Sequence, residues 1–152
     1  MSQRLDHQAL APDGMRALGG VYGYVASKSG LSPDLVNLVY LRVSQINGCA
    51  FCISAHSKDL LKSGVCLNKL LMLSAWRETP VIYTEKERAV LRWAESVTLV
   101  AQTTVPEPEY EAAAAQFTQK ELVDLTLAVG LINTYDRMAI SFRRTPDELV
   151  PG

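Results

Sequence analysis

From Thr118 to Phe142 the chain carries one helical pattern that is apolar on nearly every side, and no other segment constrains the fold as much. Thr118 and Glu121 have the spacing of a capping box, in which each satisfies the other's free backbone N–H. Leu122, Val123, Leu125, Leu127, Val129, Leu131, Ile132, Tyr135, Met138 and Ala139 then fall on all faces of the helix they open. Such a helix must be covered on several sides. In a chain of 152 residues, other helices supply some of that cover and a neighbouring subunit supplies the rest. The expectation is an all-α, single-domain helical bundle spanning residues 1–152 that assembles as a homo-oligomer.

The remaining sequence agrees with an all-helical reading. It lacks strand-like alternation and has no Asn-Gly or Asp-Gly hairpin between β-branched runs. Asn47-Gly48 lies between two helical patterns and marks the break between them, glycine allowing a backbone angle that other residues resist. Pro12 suits a first turn, predicting a helix to about Lys28 that stops near Gly30. Ser32-Pro33 opens a second helix to about Ile46. Cys49 or Ala50 starts a third, which runs to Lys62 and ends at Gly64. A shorter helix is expected over Asn68–Arg77. Thr84 with Glu87 caps one running to Thr98, and Pro106–Phe117 forms another with Glu107, Glu109 and Glu111 near its positive end. With the last helix, the bundle has about six to seven.

Composition narrows the function. A net charge of −1, without a basic block, lacks the electrostatic drive for binding nucleic acid or an anionic membrane. The longest apolar run, Leu122–Ile132, is interrupted by Asp124 and is too short to span a bilayer. The first residues do not have the pattern of a signal peptide. Three cysteines, an odd number, argue against a secreted disulfide scaffold. The expected setting is the cytoplasm.

The chemistry is concentrated in Cys49-Ala50-Phe51-Cys52-Ile53-Ser54-Ala55-His56. Two thiols three residues apart can close a small disulfide, and a histidine four residues after the second shares its helical face. A thiol attacks as its thiolate, which a helix N-terminus and a neighbouring base both favour. His56 can take the Cys52 proton. The Cys52 thiolate can then attack a peroxide O–O bond to give a sulfenic acid, which Cys49 condenses to a disulfide. A reductant reopens that disulfide by thiol exchange.

Other readings stand beside this one. Zinc has three ligands in Cys49, Cys52 and His56, but a structural site takes four, and only Cys66 and His7 remain, outside any paired motif. A c-type haem is excluded because Ile53 follows Cys52. Both cysteines could serve only as small buried hydrophobes. Cys66 reads as a structural or incidental thiol, His7 as an ordinary surface residue on a loose N-terminus, and Trp76 and Trp93 as core or interface.

The run Leu41-Arg42-Val43-Ser44-Gln45-Ile46-Asn47-Gly48-Cys49-Ala50-Phe51-Cys52-Ile53-Ser54-Ala55-His56-Ser57 closely resembles the core motif of the alkylhydroperoxidase D family, within the carboxymuconolactone decarboxylase-like superfamily. The likeness continues through Thr84–Ala89, Leu91–Glu95 and Ile132–Ile140, covering roughly residues 15 to 143. The resemblance implies an all-helical trimer or hexamer with peroxidase activity. No bound cofactor is implied; an external dithiol reductant, a lipoyl group or a thioredoxin-like protein, acts as partner. By the same resemblance Cys52 is the peroxidatic thiol, Cys49 resolves it and exchanges with the reductant, and His56 is the base. Where the family's best-studied peroxidases carry a relay glutamate, this chain has Asn37, which orients an imidazole but accepts no proton at neutral pH. The relay then needs another carboxylate, for which Glu85 and Asp136 are the candidates.

The expected function is a thiol-dependent peroxidase that reduces organic or hydrogen peroxides through a Cys49–Cys52 disulfide. The alternatives are a redox-responsive binding protein with little turnover, or a carboxymuconolactone decarboxylase-type enzyme using His56 as acid and base.

Overall fold

Helix punctuation in the sequence becomes backbone geometry in the computed structural model, which describes residues 2–146. Among these residues there are nine α-helices and no strand. They are α1 (His7–Leu10), α2 (Pro12–Lys28), α3 (Pro33–Asn47), α4 (Ala50–Lys62), α5 (Leu67–Leu71), α6 (Glu85–Thr98), α7 (Val100–Thr103), α8 (Glu107–Ala114) and α9 (Gln119–Phe142). Two of them, α1 and α7, are single turns. Both predicted capping boxes form: Thr84 with Glu87 opens α6 and Thr118 with Glu121 opens α9. Ser32 Oγ accepts the Leu35 N–H at 3.3 Å, with Pro33 in the first turn of α3.

One segment differs from expectation. Asn68–Arg77 is not a continuous helix: α5 ends at Leu71 and the chain tightens into a 3₁₀ turn over Leu73–Ala75. Leu70, Leu73 and Trp76 are all buried at a spacing of three. Three residues per turn keeps them on one face, which the 3.6-residue α-helix does not.

Helix α3 lies at the centre of the bundle, packed against α4, α6 and α9, while α2 runs beside α9 and α8 covers α6. Leu38, Val39, Leu41 and Val43 of α3, Val90 and Leu91 of α6, and Leu125, Val129 and Ile132 of α9 form the interior. Each large apolar side chain removed from water contributes about 1.5–3 kcal/mol. The cover of α9 is one-sided: Val123 and Leu127 remain 61% and 45% exposed. They line an apolar groove with Leu18 and Val21 of α2. No helix of the described residues is long and apolar enough to cross a membrane.

The N-terminus also departs from expectation. His7 is buried and stacks on Phe142, with ring centroids 5.6 Å apart. The Arg4 N–H donates to the Phe142 carbonyl at 2.9 Å, and Asp6 caps α1. Contacts with the end of α9 hold this strap in place, and no local pattern in residues 2–11 announces them.

Candidate active site

The site is assembled where α3 hands over to α4. Gly48 adopts φ 73°, the left-handed conformation glycine enters at little cost, and ends α3 with its N–H donating to the Ser44 carbonyl. The Cys49 N–H donates to the same carbonyl at 3.0 Å. The chain thus turns at once into α4, with Cys49 as its N-cap. Cys49 Sγ accepts the Cys52 backbone N–H at 3.4 Å, doing with sulfur what serine or aspartate oxygen does at most N-caps. Both cysteines are buried thiols at the positive end of α4.

Helix α9 brings Asp136 to the same point. Ligand atoms of Cys49, Cys52 and Asp136 lie within 4.8 Å of one another. Asp136 is fully buried; Ser44 Oγ donates to its Oδ1 at 2.9 Å and Asn47 Nδ2 to its Oδ2 at 2.8 Å. Among the described residues it has no ion pair. The Cys52 thiol is pushed far above the ordinary thiol range. Its hydrogen bond with Cys49 is the largest cause, followed by burial and by the bond and negative charge of Asp136.

Cys52 is also the thiol with access. It lines a cavity of about 350 Å³ with His56, Phe51, Tyr22, Tyr135 and His7, whereas Cys49 is not part of the wall. An incoming molecule therefore meets Cys52 first.

His56 does not pair with the Cys52 thiol as the i, i+4 spacing predicted. Its Nδ1 hydrogen-bonds Asn37 Oδ1 at 3.0 Å, and its ring packs against Tyr40 with centroids 4.9 Å apart. An amide oxygen only accepts, so Nδ1 carries the proton and Nε2 keeps its lone pair. Burial pushes the imidazole below its usual range, against the opposing pull of Asp59 and Asp136. Asn37 and Tyr40 hold the ring toward α3, so sharing a helical face with residue 52 does not by itself pair the imidazole with the thiol.

Of the proposed relay residues, Asn37 orients His56 and Asp136 meets the sulfurs. Glu85 does neither. It is exposed in the first turn of α6 and lines a separate groove with Trp76, Arg88 and Arg92. The zinc alternative changes as well. The described group able to share a cation is Cys49, Cys52 and Asp136, without His56. Three donors, with the carboxylate already accepting two hydrogen bonds, fall short of a structural zinc set. Cys66 is exposed at the N-cap of α5, away from this cluster.

Sequence reasoning missed Ser44, Asn47, Tyr40 and His7. A signal existed for Ser44, a polar residue on a helix face shared with Tyr40 and Leu41. None existed for His7, whose partner lies at the opposite end of the chain.

Comparison with known proteins supplies context. A family model, the carboxymuconolactone decarboxylase family, matches residues 12–96. The uncharacterized protein YdfG of Bacillus subtilis (strain 168) is 34% identical over 141 residues, covering 93% of this chain and 95% of its own length. Among solved structures, ATU0492 from Agrobacterium tumefaciens superposes with a TM-score of 0.91 at 40% identity, covering 95% of this chain and 99% of its own. It is a protein of unknown function for which an AhpD antioxidant-defence role is suggested. An uncharacterized peroxidase-related protein with an alkylhydroperoxidase AhpD core, from Ralstonia eutropha JMP134, gives 0.79 at 22% identity over 93% of this chain and 75% of its own. At that identity the likeness is one of fold alone.

Proposed function

The chain belongs to the carboxymuconolactone decarboxylase family, and on that footing we propose that it is a thiol-dependent peroxidase acting on organic or hydrogen peroxides. One observation carries this reading: Cys52, and not Cys49, lines the cavity, while the two sulfurs and a buried carboxylate lie within 4.8 Å of one another. The antioxidant role suggested for ATU0492 supports it.

In this reading the peroxide enters the cavity and Cys52 attacks its terminal oxygen. The O–O bond breaks, a sulfenic acid forms on Cys52 and an alcohol leaves. The Cys49 sulfur then displaces the sulfenic hydroxyl as water, giving the disulfide. His56, neutral and with Nε2 free to accept, orients the peroxide O–H. A dithiol of a cytoplasmic reductant, a lipoyl group or a thioredoxin-like protein, reopens the disulfide. Because Cys49 is shielded, the reductant attacks Cys52, and Cys49 leaves as a thiolate stabilised at the N-cap of α4. This differs from exchange at Cys49, which the family resemblance implies.

Steady-state peroxide consumption with a dithiol tests the proposal. Cys52→Ser abolishes turnover, and Cys49→Ser permits one oxidation of Cys52 but no cycling. Undiminished turnover in Cys52→Ser overturns it. A second reading, a redox-responsive protein that forms the disulfide without cycling, is favoured by the burial of Cys49. It predicts oxidation by peroxide with negligible turnover in the unmodified protein.

A further inference from the structure

We propose that Asp136, rather than His56, takes the proton from the Cys52 thiol as its sulfur attacks. The inference rests on the peroxidase reading and names the base within it.

The geometry supports this on three counts. First, the Asp136 carboxylate is within 4.8 Å of both sulfurs, whereas the His56 ring, held toward α3 by Asn37 and Tyr40, is not part of that cluster. Second, Asp136 is fully buried and, among the described residues, has no cation beside it: its partners Ser44 and Asn47 are neutral donors. Those two donors fix the orientation of the carboxylate beside the sulfurs. Third, the sulfurs sit at the N-terminus of α4, where backbone N–H groups favour negative charge on sulfur. Burial, the Cys49 bond and the Asp136 bond and charge all keep the proton on the resting Cys52 thiol, so the proton must move as sulfur attacks, and the carboxylate within 4.8 Å is placed to take it.

The cluster then behaves as a single coupled acid, holding one negative charge that can sit on Asp136 or on Cys52. In the resting state Asp136 is ionised and Cys52 is a thiol. On attack the S–H bond breaks and its proton moves to Asp136. The sulfur electron pair forms the S–O bond and the O–O bond breaks, so sulfur loses two electrons and the peroxide gains them. The alkoxide takes the proton back from Asp136 and leaves as alcohol. The Cys49 proton later departs with the sulfenic hydroxyl as water. The titratable groups facing the cluster are Cys49 and Cys52 from α4 and, further off, His56, whose proton affinity the Asp136 charge raises. From α3 only the neutral Ser44 and Asn47 reach it, and Asn133 of α9 accepts from Asn47 at 3.1 Å. Among the described residues no lysine or arginine pairs with Asp136.

The test is the pH profile of Cys52 reactivity, read by mass spectrometry on the Cys52 peptide after exposure to hydrogen peroxide and, separately, to iodoacetamide. With an internal carboxylate as base, the rate is level between about pH 5.5 and 8, because each proton released by sulfur is captured within the cluster. In Asp136→Asn the proton goes to solvent. The rate then climbs about tenfold per pH unit with no level region below the thiol's own ionisation. Asp136→Glu restores the level profile. A unmodified-protein rate that itself climbs tenfold per unit overturns the inference, as does an Asp136→Asn profile that stays level. A rate that falls below about pH 6 in the unmodified protein, with the dependence lost in His56→Gln, transfers the role to the imidazole. The iodoacetamide arm keeps the two proposals separable. If Cys52 alkylates with the level profile but does not react with peroxide, the peroxidase reading fails while the base assignment stands. Because the unmodified protein's profile is decisive alone, a variant that does not fold leaves the test intact.

Discussion

Buried polar groups persist where something holds them, and the site residues differ chiefly in what holds each one. Asp136 is held by Ser44 and Asn47, and His56 by Asn37 and the Tyr40 ring. The imidazole is kept below its usual proton affinity, so the unfolded chain binds a proton that the folded one refuses. Stability from this source is present in full above about pH 6.5 and is lost as the pH falls from there toward the folded value. Urea unfolding at about pH 7.5 and about pH 5.5 should show a clear loss on acidification, reduced in His56→Gln. An equal loss in both proteins contradicts this. The residues proposed to bear the reactive atoms stood out in the sequence, because two thiols and an imidazole at helical spacing concentrate nucleophile and base in one turn. Of their partners, Asn37 and Asp136 were named only through the family resemblance, and Ser44, Asn47 and Tyr40 not at all. Spacing along α4 fixes which face residues 52 and 56 share, but Asn37 and Tyr40 on α3 decide where the ring turns, and Asp136 reaches the sulfurs from α9.

At the scale of elements, helix starts and stops were legible because caps are local chemistry: Ser32-Pro33, Thr84 with Glu87, Thr118 with Glu121 and Gly48 each act within one turn. The stretch from Asn68 to Arg77 was not, because its shape answers to a tertiary partner. Glu95 of α6 accepts from Trp76 Nε1 at 2.9 Å and from Arg42 Nε of α3 at 2.7 Å, and pairs with Arg77. One carboxylate thereby ties α3, α6 and the 3₁₀ segment together. Burial opposes its ionisation, but the hydrogen bonds from Trp76, Arg77 and Arg42 outweigh burial and hold the carboxyl below its usual range. Its contribution is present above the ordinary carboxylate pKa and is lost as the pH falls through the depressed value. Glu95→Gln leaves Arg42 without its counter-charge and should cost on the order of 3 kcal/mol at neutral pH, measured by denaturant unfolding. A change below about 0.5 kcal/mol would show that the three elements are joined by packing alone.

Across the whole molecule, the one-sided cover of α9 is the feature the sequence foresaw only in outline. An apolar helix needs several neighbours, yet periodicity does not say which of its faces a single chain reaches. Within the chain, Leu125, Val129 and Ile132 are covered, while Val123 and Leu127 are left on an apolar groove shared with α2. The homo-oligomer expected from the sequence has this groove as the apolar face left to cover. Light scattering should find an oligomer that Leu127→Glu dissociates toward the monomer; a monomer in the unmodified protein contradicts the assignment. Oxidation of Cys52 by peroxide and its resolution by Cys49 are read out by intact-mass analysis of the reduced protein after one equivalent of hydrogen peroxide. The expected outcome is the loss of two hydrogen atoms and a peptide pair joined through Cys49 and Cys52. Unchanged mass, or added oxygen confined to Cys66, would contradict it.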